Sequence, residues 1–138
     1  MKRLILDNHV IVRFLIAEPT PLGKAAARLF EKSDHQEITL ILEPLVMAES
    51  IFVLTSFHKR NRLDVAAAME VLINSPGIEC LRRRETEIAL RHFRARPSAH
   101  WVDCFLAASS EESGHPVASF DHDFDHLPGA TRVDPAQH

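Results

Sequence analysis

The sequence predicts a three-layer α/β/α domain built on a short central parallel sheet. Two observations carry that reading. Short unbroken apolar runs, the mark of strands covered on both faces, alternate with longer segments whose apolar residues recur at helical spacing. At 138 residues and 46% hydrophobic content, the chain buries on the order of two-thirds of its unfolded surface, enough for one domain over 1–138 without disulfide staples.

The elements follow in order. RLIL (3–6) is a fully buried strand by its apolar run, and residues 8–16 form a short helix that Asn8 can cap. PLGKAAARLFEK (21–32) is helical, with Pro21 acceptable in the first turn. ITLIL (38–42) is the second strand. The apolar segment 44–57 and then 62–74 are helices, the latter closed by Ser75-Pro76-Gly77. GIECL (77–81) is a third strand, helices follow at 84–95 and 98–113, and Gly114 ends the second of them. PVAS (116–119) and TRV (131–133) complete the set. Such alternation implies right-handed crossovers and parallel pairing. In the order 3-2-1-4-5, strands one and four are neighbours at the switch point, beyond whose carboxyl ends ligands bind.

Composition removes several function classes. Cys80 and Cys104 lack metal-ligand spacing and sit in apolar contexts, so reduced thiols are expected. MKRLILD has no signal-peptide apolar region, and the longest apolar tract carries Glu49 and is too short to cross a bilayer. A soluble cytoplasmic protein with no membrane partner is expected. A net charge of -3 argues against strong global attraction to nucleic acid, leaving a local patch or bound metal ions to supply it.

Four acids stand out by position. Asp7 directly follows the first strand, and Asp121 follows the fourth in SFDHDFDH. Glu49 is the sole charge between Pro44 and His58, with Leu45, Val46, Phe52 and Val53 one turn away, which predicts poor access to water. Asp103 lies among apolar residues early in WVDCFLAASS. Singly, each has a plain structural role: a cap or turn for Asp7 and Asp121, dipole complementarity for Asp103, and an ion pair with Arg13 or Arg91 for Glu49. Jointly, clustered carboxylates repel, and their proton affinity climbs unless cations neutralise them. Hard oxygen donors without Cys select Mg²⁺ or Mn²⁺ over zinc. Such a centre serves phosphodiester hydrolysis.

The segments LILDNHVIVRFL, LEPLVMAESIFVL, WVDCFLAASSEESGHPVASFDHDF and LPGATRV resemble, in order and spacing, a PIN-domain ribonuclease of the VapC toxin type from bacterial toxin–antitoxin pairs. The resemblance covers nearly the whole chain. It implies a PIN-like fold and endonucleolytic cutting of RNA, with Asp7, Glu49, Asp103 and Asp121 as the catalytic acids. By the same resemblance these four would hold one or two Mg²⁺ or Mn²⁺ ions, with Asp123 as a possible fifth ligand. It also implies a homodimer, and a cognate antitoxin that inhibits by occupying the groove in a heterotetramer or larger complex. Operator DNA would be met only through that complex. The chain departs from the family's usual Asp-Thr-Asn or Asp-Thr-Ser with Asp7-Asn8-His9, so Asn8 and His9 stand where supporting hydrogen bonds are made. Ser119 replaces a Thr that can hydrogen-bond an acidic side chain, and His100 replaces an Asp often found three residues before Asp103.

Other features have plainer readings. Asp121-x-Asp123-x-Asp125 is not a calcium loop, because His126 and Arg132 occupy the positions that need Gly and Glu. His122 and His126 are expected to be exposed, and Trp101 and the phenylalanines to be core. His58–Arg62 falls at a helix C-terminus, and Arg82–Arg84 is expected to be a solvated face. Arg13, six residues past Asp7, is the candidate contact to an RNA phosphate. A haloacid-dehalogenase site would need an Asp where His9 stands, and a receiver domain would need an acidic pair and a late Lys. The competing expectation is a catalytically inert module that acts through partner binding.

Overall fold

Parallel strands cannot be joined by tight turns and require crossover helices, which the first 82 residues supply. The computed structural model describes residues 2–138, which divide into two units, one ending at Arg82 and one spanning Arg83–His138.

In the first unit, β1 (Lys2–Ile5), β2 (Ile38–Leu42) and β3 (Ile78–Cys80) form a parallel sheet in the order β1-β2-β3. Leu4, Leu40 and Ile78 are in register across it, and Leu40 on the central strand is fully buried. The first crossover is α1 (Asn8–Leu15) and α2 (Pro21–Asp34). Thr20 caps α2 by accepting the Gly23 N–H at 3.2 Å, with Pro21 in the first turn. Phe14 stacks on Phe30 at 4.2 Å, joining the two helices. The second crossover is α3 (Pro44–Phe52) and α4 (Arg62–Ile73), the latter capped by the Asn61 side chain at the Leu63 N–H, 2.8 Å. Gly77 closes the return to the sheet. A Cβ there would lie 2.1 Å from the Ser33 carbonyl oxygen, so only glycine fits.

Three expectations about this unit are corrected. The first strand is not fully buried: β1 is the end strand of its sheet, Ile5 is 70% exposed, and burial is reached only at Leu6. The cap of α1 is Asp7 rather than Asn8. Asp7 has the extended backbone of a cap, while Asn8 is already helical and buried. The helix expected to run to 57 changes register at Val53, and Val53–Phe57 is a π-helical turn. Thr55 Oγ1 there donates to the Ile51 carbonyl at 2.8 Å, a bond to the preceding turn that bends helices.

In the second unit, α5 (Arg83–Ala95) packs on α6 (Trp101–Ser113). Their facing apolar residues include Ile88, Leu90, Phe93, Trp101, Cys104 and Ala108, all buried, with Phe93 and Trp101 edge to face at 5.7 Å. The later helix starts at Trp101 rather than 98, because Pro97 cannot donate within a helix and residues 96–99 turn instead, Ala99 N–H bonding the Arg96 carbonyl at 3.1 Å. Gly114 ends α6 in the left-handed conformation, φ 77°. β4 (Val117–Ala118) and β5 (Arg132–Val133) then pair in parallel.

The α/β class is therefore as the sequence predicts. Its order appears as two ladders, a three-stranded 3-2-1 sheet and a two-stranded 4-5 pair, rather than one hydrogen-bonded sheet of five among the described residues. β4 and β5 are two residues each, too short for an extensive ladder. Both cysteines are free thiols, Cys104 fully buried. No helix among the described residues is long and apolar enough to cross a membrane.

Candidate functional site

Asp7 sits where β1 ends and α1 begins, and its side chain makes no bond to the helix N-terminus. Its Oδ2 instead lies 3.1 Å from His9 Nδ1, both side chains being largely exposed. That hydrogen bond is the main reason the Asp7 carboxyl is held below the ordinary carboxylate range; burial opposes it. His9 thus bonds Asp7 directly, while Asn8 is buried. The expected consequence is specific: in His9→Ala the Asp7 carboxyl titrates at higher pH than in the wild type, read by carbon NMR of the side chain. An unchanged midpoint would exclude His9 as the cause.

Glu49 corrects an expectation. It is exposed, because the apolar neighbours that seemed to shield it are themselves in solvent, Leu45 at 79% and Phe52 at 67%. These residues, at i, i+4 and i+7, form one open stripe of α3. Glu49 borders a cavity of about 400 Å³ whose lining includes Asn8, His9, Arg13, Phe52, Phe57 and His58. Arg13 reaches this cavity but is already ion-paired with Glu18, which also accepts the Thr20 hydroxyl at 2.6 Å. Its charge is therefore shared within the unit rather than held free for a phosphate.

In the second unit, Asp103 lies in the first turn of α6 and is half-buried. Its carboxyl is pushed above the ordinary range, first by burial and then by the negative charges of Asp121 and Asp123, with His100 opposing them. Asp121 opens the 3₁₀ turn His122–His126, accepting the Asp123 N–H on Oδ1 at 2.8 Å. Ser119 Oγ accepts the Asp121 N–H at 3.0 Å, so it bonds the acid's backbone rather than its carboxylate. Asp121 and Asp123 are both exposed.

From the sequence alone, Arg132 served only to exclude a calcium loop, and its role here was missed. Arg132 Nε donates to Asp125 Oδ1 at 3.2 Å, and its Nη1 donates to the Ser119 carbonyl at 3.0 Å. Phe124 and Leu127 anchor the same segment in the core. The basic and aromatic expectations divide. Arg83 pairs with Glu87 at 3.1 Å and Arg84 with Glu112 at 3.4 Å, the solvated face expected. His122 and His126 are exposed, and Trp101 is core, but Phe52, Phe57 and Phe120 are exposed rather than buried.

The acids therefore divide as Asp7 and Glu49 in one unit and Asp103, Asp121 and Asp123 in the other. Among the described residues, no group of three or more His, Cys, Asp or Glu side chains is disposed to hold a metal ion. What the second unit does have is a surplus of negative charge around a half-buried carboxyl.

Comparison with known proteins adds the family. A model of the PIN domain matches residues 4–130. No curated protein matches the chain. Among solved structures, a chain in the crystal structure of VapBC2 from Rickettsia felis bound to a DNA fragment from their promoter is similar over 96% of this chain and 98% of that one. Its sequence identity is 10% and its TM-score 0.41. The family match runs through β1–β3, α1–α6 and β4 and ends just before β5. Over nearly all of its length, this chain belongs to the PIN domain family.

Proposed function

We propose that the chain is a Mg²⁺- or Mn²⁺-dependent endoribonuclease, the toxin of a toxin–antitoxin pair of VapC type, acting as a single PIN domain. PIN domains are generally nucleases, and such nucleases generally use divalent metal ions. The observation that carries the reading is Asp103, a half-buried carboxyl whose proton is favoured by burial and by Asp121 and Asp123. A divalent cation relieves that repulsion, and an all-carboxylate oxygen donor set suits Mg²⁺ or Mn²⁺.

Asp7, Glu49, Asp103 and Asp121 are the residues proposed to hold the metal, with Asp123 as a fifth candidate ligand. The family pattern is what joins the two sets. When bound, the ion supplies Lewis-acid activation of water and offsets charge at the scissile phosphate. The chain's own part is to orient these oxygens. His9 keeps Asp7 ionised by its hydrogen bond, and Ser119 with Asp123's amide fixes the Asp121 turn. Arg13 would reach RNA by exchanging its Glu18 partner. The cavity beside Glu49, with its exposed Phe52 and Phe57, is the place proposed for an antitoxin segment, and the toxin itself is proposed to be a homodimer.

The test is cleavage of RNA by purified protein with Mn²⁺ or Mg²⁺, set beside EDTA and an Asp7→Asn variant. Both controls are expected to lower the rate at least about a hundredfold, since metal activation contributes several kcal/mol. Cutting that survives both controls would overturn the assignment. The second reading, an inert interaction module, is favoured by His9 already occupying the Asp7 carboxylate. Calorimetric titration separates the two: no heat of binding at millimolar Mn²⁺ selects the module.

A further inference from the structure

We infer that Arg132 is a positioning residue for the acidic turn, holding Asp121 and Asp123 in place by clamping the chain on both sides of them. The inference deepens the metal-dependent reading above and rests on it for its functional consequence, while the clamp itself is a matter of geometry.

Arg132 lies on β5 directly across from Val117 of β4. Its side chain is only 12% exposed, so its charge needs partners nearby. It finds them at the two ends of one short segment. On the near side, Nη1 donates to the Ser119 carbonyl at 3.0 Å. On the far side, Nε and Nη2 straddle the two Asp125 oxygens at 3.2 and 3.5 Å. Nη2 also lies 3.0 Å from His122 Nδ1. A planar fork fixes direction as well as distance, which a point charge does not.

Between those two anchor points stand Asp121 and Asp123. Their local bonds, Ser119 Oγ to the Asp121 N–H and Asp121 Oδ1 to the Asp123 N–H, orient each acid relative to its immediate neighbours. They do not tie the turn to the ladder. The Ser119 N–H bonds the Val133 carbonyl at 3.2 Å and so ties the near end to β5. Arg132 ties the far end, because its backbone belongs to β5 and its guanidinium holds Asp125 as well as the Ser119 carbonyl. Without it, the segment keeps its Phe124 and Leu127 anchors but loses the link across the acids. Outer groups of this kind commonly change metal affinity or activity by about 10–100-fold when removed.

The experiment compares wild type, Arg132→Met, Arg132→Lys and the milder Asp125→Asn, which leaves the buried guanidinium and its Ser119 bond in place. Amide hydrogen exchange is read at Asp121, Asp123 and Leu127, together with Mn²⁺ affinity by calorimetry and RNA cleavage kinetics. Arg132→Met is expected to speed exchange of these amides about tenfold or more and to weaken Mn²⁺ binding and lower kcat by about 10–100-fold, with KM for RNA little changed. Arg132→Lys, which keeps the charge but not the fork, is expected to recover only part of this, and Asp125→Asn to show the same pattern more weakly. Should Arg132→Met fail to fold, Asp125→Asn and Arg132→Lys still decide. Unchanged exchange at these amides in the folded variants overturns the clamp. A raised KM with unchanged kcat and Mn²⁺ affinity overturns the positioning role in favour of direct RNA contact. Wild-type protein that binds no Mn²⁺ overturns the metal reading and the consequence built on it, and the exchange arm tells that failure apart from failure of the clamp.

Discussion

Asp103→Asn is expected to abolish RNA cleavage and Mn²⁺ binding while leaving the fold at least as stable as the wild type at neutral pH. The two effects come from the same carboxylate. Asp103 is half-buried in the first turn of α6, and burial, with Asp121 and Asp123, disfavours its charge in the folded chain. Its folded pKa is therefore above its unfolded one, so above both values the ionised group destabilises the fold. That penalty fades as pH falls through the folded value. The amide removes it at pH 7, and the advantage of the variant should shrink on acidification. Loss of a ligand at the proposed centre forfeits several kcal/mol of transition-state stabilisation, at least about a hundredfold in rate. Mn²⁺ should reverse the ranking, raising the Tm of the wild type and not of the variant. Thermal unfolding with and without Mn²⁺ at pH 5 and pH 7, beside a cleavage assay, reads all of this. A variant that still cuts, or that unfolds earlier than wild type at pH 7, would refute the account.

Leu40→Ala is expected to be the most damaging single truncation in the first unit. Leu40 is fully buried on the central strand, with Leu4 on one side and Ile78 on the other. Its backbone N–H is bonded to the Gly77 carbonyl at 2.8 Å, and the close approach of Gly77 to Ser33 leaves little room for the site to collapse. The loss should be about 2–5 kcal/mol. For a chain of this length that corresponds to a fall in Tm on the order of 10 °C. Urea unfolding at 25 °C checks it, and a loss under about 1 kcal/mol would mean that the cavity is refilled by neighbours.

How legible was this molecule? Strand ITLIL could be read because a largely apolar, β-branched run of that length, bounded by polar residues, has few other uses, and IEC because Ser75-Pro76-Gly77 ends the preceding helix just before it. The acids could be picked out because charge is rare in such surroundings. Glu49 shows where that reasoning stops. Apolar neighbours imply burial only if their own face is covered, and on α3 both Leu45 and Phe52 face solvent. A helix apolar on every side does not disclose which side is packed. The π-helical turn at Val53–Phe57 was equally hidden, since a change of hydrogen-bond register leaves no mark in hydropathy. Arg132 was missed for the opposite reason: a lone cation in a short strand looks like ordinary surface until its carbonyl and carboxylate partners are known.

The order of the elements along the chain has a consequence in time. All three strands of the larger sheet lie within the first 82 residues, together with Asp7 and Glu49, whereas Asp103, Asp121 and Arg132 lie in the last 56 (138 − 82). A ribosome adding about 5–20 residues per second needs roughly 3–11 s for that final stretch. Until Asp103 is added, the nascent chain has its first sheet but only Asp7 and Glu49 of the proposed acids. A chain with the proposed RNA-cutting activity would thus be made beside messenger and ribosome with that activity withheld until Asp121 has been added.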